Sequence, residues 1–175
     1  VFSFDGTTLT SIDVADTASN ANGVWGDGEY IYVVDGSPGI YAFSFDGTTL
    51  TQEDLFNTGG SANDVWGDGE YIYVTDGTST LALTFDGTSF TEVSRVASYT
   101  GTGSVWGDED YIYVGDQDLI VAYTFDGSTF TELDSYDTLD DIHGVWTDGT
   151  HIYLANRSRG IRAMTFDGTS FTEID

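Results

Sequence analysis

The chain has 175 residues, enough for one domain of ordinary size. It carries 30 acidic residues against four basic ones, a formal charge of −26, and no cysteine, which excludes disulfide frameworks and thiolate metal sites. A surface this negative repels phosphate backbones and anionic membranes, and no apolar run approaches the roughly 20 residues a spanning helix needs, so neither nucleic-acid binding nor membrane insertion is expected.

In chain order, residues 1–4 read as the tail of one strand, and Thr7 to about Val14 as the strand after it. Gly23-Val24-Trp25 then opens a four-strand series. Strand a carries Val-Trp, and Gly26-Asp27-Gly28 turns it into strand b, Tyr30-Ile31-Tyr32-Val33-Val34. Strand c is Ile40-Tyr41-Ala42-Phe43-Ser44-Phe45, and Asp46-Gly47 turns it into strand d, Leu50-Thr51-Gln52-Glu53. Asp-Gly between apolar runs predicts hairpins, with type I′ turns that place both central residues at positive φ. Strand b recurs at 71–75, 111–115 and 151–155.

The whole series repeats. Phe-Asp-Gly begins at Phe4, Phe45, Phe85, Phe125 and Phe166, spaced 41, 40, 40 and 41. Trp25, Trp66, Trp106 and Trp146 are spaced 41, 40 and 40, each 20 residues after a Phe-Asp-Gly aspartate. Strand b is apolar on both faces and so needs cover on both, while strand d is more polar, as an outer edge should be. Four strands per repeat of about 40 residues is the period of a β-propeller. The expected fold is therefore all-β: four antiparallel blades plus an N-terminal half-blade of strands c and d. The expected units are a half-blade at 1–20 and repeats at approximately 21–61, 62–101, 102–141 and 142–175. Four blades is the low end for a closed ring, so closure is expected to need a homo-oligomer or a longer repeat array. Val1 is not an initiator Met, which suggests processing or excision from something longer.

The run Tyr30-Ile31-Tyr32-Val33-Val34-Asp35-Gly36-Ser37-Pro38-Gly39-Ile40-Tyr41-Ala42-Phe43 resembles the repeat of LVIVD-type and related WD-like bacterial and archaeal propellers. The Trp-Asp and Gly-His dipeptides of tryptophan–aspartate repeats are absent, because Gly26, Gly67, Gly107 or Thr147 follows each Trp. The resemblance implies a surface or secreted binding scaffold and brings no catalytic residue with it.

Candidate functional residues fall in two groups. The first is the connection from strand d to strand a, which opens near a propeller's axis. Its length is fixed and its chemistry varies, so Asn22, Asn63, Asp64 and His143 are binding candidates against a plain role in satisfying strand ends. The second is the fourth repeat, where Arg157, Arg159 and Arg162 fall within six positions of a chain with only four basic residues. They suit a carboxylate or phosphate clamp, a docking patch, or the contact that closes the ring. The acid-rich turns suit calcium, but no EF-hand spacing exists and Asp-Gly turns explain these aspartates more simply, so no cofactor is expected. Asn156-Arg157-Ser158 is the sole glycosylation sequon. With two histidines and no nucleophile triad, the expected function is a non-enzymatic binding or structural module, extracellular or on a cell or virion surface, with a protein or glycan partner. The alternative is a propeller glycan hydrolase or lyase using axial carboxylates. The acidity also fits halophilic adaptation, since salt screens self-repulsion.

Overall fold

The computed structural model describes residues 1–99 and 101–174, with only the backbone described at Thr102. It is an all-β structure, 56% strand and 2% helix. A hairpin of β1 (Phe2–Phe4) and β2 (Leu9–Ser11) leads. Four antiparallel sheets follow, with strands adjacent in chain order. Blade I holds β3 (Gly23–Gly26), β4 (Tyr30–Val34), β5 (Ile40–Phe45) and β6 (Leu50–Phe56). Blade II holds β7 (Asp64–Gly67), β8 (Ile72–Thr75), β9 (Ser79–Phe85) and β10 (Phe90–Ala97). Blade III holds β11 (Thr102–Gly107), β12 (Ile112–Asp116), β13 (Leu119–Phe125) and β14 (Phe130–Asp137). Blade IV holds β15 (Gly144–Thr147), β16 (Ile152–Asn156), β17 (Gly160–Phe166) and β18 (Phe171–Glu173), with a 3-10 turn over Arg157–Arg159 between β16 and β17. No helix of the described residues is long and apolar enough to cross a membrane.

The hairpins differ from the expected type I′ geometry. Phe45 pairs with Leu50 and Gly26 with Ile31, so each loop has four residues. Positive φ falls on the glycines Gly47 and Gly28 and not on Asp46 or Asp27. The aspartate instead acts through its side chain: Asp46 Oδ1 accepts the amides of Thr48 and Thr49, and Asp27 Oδ1 those of Glu29 and Tyr30. This bonding of a short polar side chain to the backbone two and three residues on fixes the loop. The same device therefore serves both hairpins of a blade.

Two contacts recur between successive blades, the first at the I–II and II–III interfaces and the second at all three. The Trp of one strand a covers the Gly that ends the next strand a: a Cβ built on Gly67 would lie 2.5 Å from the Trp25 ring, and one on Gly107 would lie 2.6 Å from Trp66. The Tyr opening each a–b hairpin's second half meets the next blade's Phe edge to face, as in Tyr30–Phe85 at 5.1 Å and Tyr71–Phe125 at 5.0 Å. A third link crosses at the rim. Strand d bulges at Glu53 and Leu133, and the next residue turns to the neighbour. Asp54 Oδ2 accepts the Phe90 amide and Asp134 Oδ2 the Phe171 amide.

β8 and β12 are buried throughout, as a strand covered on both faces must be. The terminal blades keep one bare face. Val24 is 68% exposed where its counterparts Val65, Val105 and Val145 are 3%, 0% and 7% exposed, and Trp146 is 49% exposed. The four blades form an open arc, with strand a of each at the inside.

Candidate functional site

The d–a connections and b–c loops share one end of the arc, where strand b ends and strand a begins. The amides of Asn22, Asn63 and His143 donate to Val34, Thr75 and Ala155 respectively, so the three stand at equivalent positions of blades I, II and IV. Their side chains do different work. Asn22 Nδ2 reaches the Ala62 carbonyl of the next blade at 2.9 Å. His143 is exposed. Asp64 sits one position further in and is largely buried: its Oδ1 accepts the Val65 amide and its Oδ2 the Val105 amide of blade III. Burial pushes its carboxyl above the usual carboxylate range, partly offset by those two amides. The column thus ties blades together at Asn22 and Asp64, while the exposed His143 makes no such inter-blade bond among the described residues.

The three arginines of blade IV do not act as one patch. Arg162 is mostly buried and bridges two elements, Nη2 on Glu173 at 2.6 Å and Nη1 on the Thr138 carbonyl at 2.7 Å. Arg95 does the same from another position, reaching the Thr58 carbonyl at 3.0 Å while pairing with Glu92. Thr58 and Thr138 are equivalent buried residues of d–a connections, so both arginines clamp one blade to the connection before it. Arg157 pairs with Asp141, and the Ser158 amide and hydroxyl donate to Asp140, whose carboxyl they hold below its usual range. Arg159 is exposed and has no ion-pair or hydrogen-bond partner among the described residues. The loop end of blade IV therefore offers Arg157, Arg159 and His143 to solvent, and Arg162 belongs to the interior.

A further column went unread in the sequence. Asp35 and Asp76 directly follow their b strands, Asp116 and Asn156 end theirs, and all four are buried. Asp35 accepts the Thr17 hydroxyl and Ser19 amide, and Asp116 the amides of Tyr99 and Gly101, so each fastens the preceding d–a connection. Asn156 donates to Thr138 Oγ1 and the Asp140 carbonyl. The signal was a polar residue three positions after the last tyrosine of each Tyr-Ile-Tyr-type core, at the repeat spacing. This burial also corrects the sequon: the Asn156 amide nitrogen is engaged inside the fold and closed to a glycan.

At the opposite end, the a–b loops of blades II to IV surround a hollow of about 640 Å³ lined by Trp66, Asp68, Glu70, Asp108, Glu109 and Thr147. Thr147 stands where other blades have Gly, and Trp106 there tilts 38° toward Trp66, with ring centres 6.3 Å apart. The turn acids are already engaged: Asp68 Oδ1 accepts the amides of Glu70 and Tyr71, and its Oδ2 the Tyr73 hydroxyl at 2.8 Å. Asp64 begins β7, whose other end leads into the Asp68 turn, roughly 13 Å along the chain at ~3.3 Å per residue. Paired glycosidase carboxylates stand about 5–9.5 Å apart. No group of three or more His, Asp or Glu side chains among the described residues is placed to hold a metal ion.

The repeat has counterparts. The LVIVD repeat model matches residues 59–83, across the first three strands of blade II, and residues 101–138, which cover blade III. The crystal structure of a protein from Bacteroides fragilis NCTC 9343, provisionally described as a 6-phosphogluconolactonase, is similar with a TM-score of 0.76 at 20% identity, over 87% of this chain and 52% of that one. A functionally unknown protein from Desulfotomaculum acetoxidans DSM 771 is similar with a TM-score of 0.81 at 11% identity, over 99% of this chain and 61% of that one. The chain thus spans between half and two thirds of each, and at these identities the likeness is one of fold. No curated protein matches the chain in sequence.

Proposed function

We propose that this chain, a β-propeller repeat protein, is a non-enzymatic binding scaffold of an extracellular, cell or virion surface, and that it holds a protein or glycan at the loop end of its arc. One observation carries this reading. The recurring aspartates of the turns, rim and b-strand ends are engaged by backbone amides of their own turn, of the neighbouring blade or of the d–a connection, as at Asp46, Asp68, Asp54 and Asp116. The recurring glutamates of strand d are engaged by side chains, as at Glu53, Glu92, Glu132 and Glu173. Groups so fixed hold geometry and are poorly free to shuttle protons.

The loop end, by contrast, varies between blades. Its b–c loops run over residues 35–39, 76–78, 117–118 and 157–159, and the last presents Arg157 and Arg159 at the same end of the blade as His143. An exposed guanidinium favours carboxylate or sulfate groups of a glycan or a protein acid. The test is to pass acidic and neutral glycans and acidic proteins over the immobilised chain and weigh the retained ligands by mass spectrometry. Retention of an acidic ligand at unchanged mass is expected, weakened about tenfold by Arg159→Ala. Shortened glycan products would overturn the reading in favour of an enzyme, and retention indifferent to Arg159→Ala would remove the site.

A further inference from the structure

Three non-glycine residues hold a positive φ among the described residues: Gln117 at 51°, Leu139 at 63° and Arg157 at 32°. That region crowds a side chain against its own backbone and favours glycine. Elsewhere the repeat keeps glycine there. Gly36 and Gly77, at 65° and 77°, are the counterparts of Gln117 and Arg157, and Gly59, at 91°, is the counterpart of Leu139 before blade II. Around blades III and IV the chain therefore carries large side chains where the backbone favours none.

The three lie on one platform. The Ile142 amide donates to the Gln117 carbonyl and the Thr138 amide to the Asp118 carbonyl, both at 2.7 Å. Asn156 Nδ2 donates to Thr138 Oγ1, and the Ser158 amide to Asp140 Oδ2, both at 3.0 Å. These bonds lace the b–c loops of blades III and IV to the connection between them, which carries Leu139. Little packing offsets the strain, since Leu139 is 61% exposed and Gln117 and Arg157 are exposed. Strained backbone of this kind gathers at binding and switch regions.

We propose that this platform docks a segment of a partner protein, with an apolar side chain on Leu139, one carboxylate on Arg159 and the main chain on the Gln117 amide. The inference rests on the binding role given above to the loop end, and it selects protein over glycan. Arg157 is paired with Asp141, so Arg159 is the guanidinium open to a carboxylate. The same loops carry Asp118, Asp137, Asp140 and Asp141, so the platform admits a single carboxylate and repels a polyanion such as a sulfated glycan. An exposed leucine gains by shedding water against an apolar side chain, which the hydroxyl-rich surface of a glycan supplies poorly. The Gln117 amide both donates and accepts, as a peptide main chain requires.

The test uses the full chain, a display library of random short peptides and, as the glycan probe, heparin fragments. Selection on the immobilised chain is expected to enrich peptides with an apolar side chain and one Asp or Glu. The most enriched peptide, labelled and titrated by fluorescence anisotropy, is expected to bind saturably. Leu139→Gly should weaken it about tenfold, as loss of an apolar anchor does, and Leu139→Met should leave it near the parent. The melting temperature of Leu139→Gly should equal or exceed the parent's, because glycine relieves the strain. A Leu139→Gly chain that melts several degrees lower overturns the proposal, since the leucine then packs for the fold. So does a peptide that binds Leu139→Gly as tightly as the parent; if Arg159→Ala still weakens that peptide, the broader reading of the loop end stands. Retention of heparin fragments with no peptide enriched overturns the proposal in favour of a glycan. Retention of neither probe overturns both readings.

Discussion

The carboxylate of Asp86 receives the Thr88 hydroxyl and the amides of Thr88 and Ser89, which hold its pKa near about 2 against an ordinary 3.8. The folded-state value is the lower one. Its stabilising effect is therefore fully present above 3.8 and lost as pH falls toward about 2. Asp64 runs the other way, since burial raises its pKa, and its ionised form opposes folding as pH rises through the raised value. Asp86→Asn is expected to be less stable than the parent at pH 7 and to converge on it between about pH 4 and pH 2. Urea midpoints measured in about 1 M salt, where charge repulsion is screened, check this. A gap that persists at low pH would mean that the loop depends on shape and not on charge.

The glycine that ends strand a shows what an element demands of one residue. At Gly67 any side chain meets the Trp25 indole, whereas at Gly26 it meets only the Tyr30 carbonyl, 3.2 Å from a built Cβ. Gly67→Ala is expected to cost about 1–3 kcal/mol, the range for forcing extra volume into a packed contact. Gly26→Ala should lie within about 0.5 kcal/mol of the parent, as surface changes usually do. Paired denaturation curves decide it, and equal losses at both sites would disprove the knob-on-glycine packing. The strands themselves were legible in the sequence because apolar runs, Asp-Gly loops and a 20-residue phase from Asp to Trp all agree. The type of turn was not, because Asp-Gly reads as two positive-φ residues until Asp46 Oδ1 is seen taking two amides. Nor was the split among the arginines. Arg157, Arg159 and Arg162 are neighbours in sequence, but strand alternation sends Arg162 inward to Glu173 and Thr138. Asn22 and Asp64 were found as a column, but their partners, Ala62 and Val105, lie a blade away and leave no local mark.

Over the whole molecule, 30 acids face four arginines, and three of those arginines are paired with Glu92, Asp141 or Glu173. The remaining repulsion acts over about 10 Å at 0.1 M salt and about 3 Å at 1 M. The melting temperature is therefore expected to climb steeply between low and molar sodium chloride. A flat response would mean that the acids are far enough apart to ignore one another. Each blade meets its successor through the same tyrosine and phenylalanine, and blades I to III also through the same tryptophan and glycine, at a 40- or 41-residue phase. An array gaining or losing one unit in phase would keep the tyrosine–phenylalanine contact at every interface. The interface therefore carries no count of its own. One packing rule can thus serve arrays of different length.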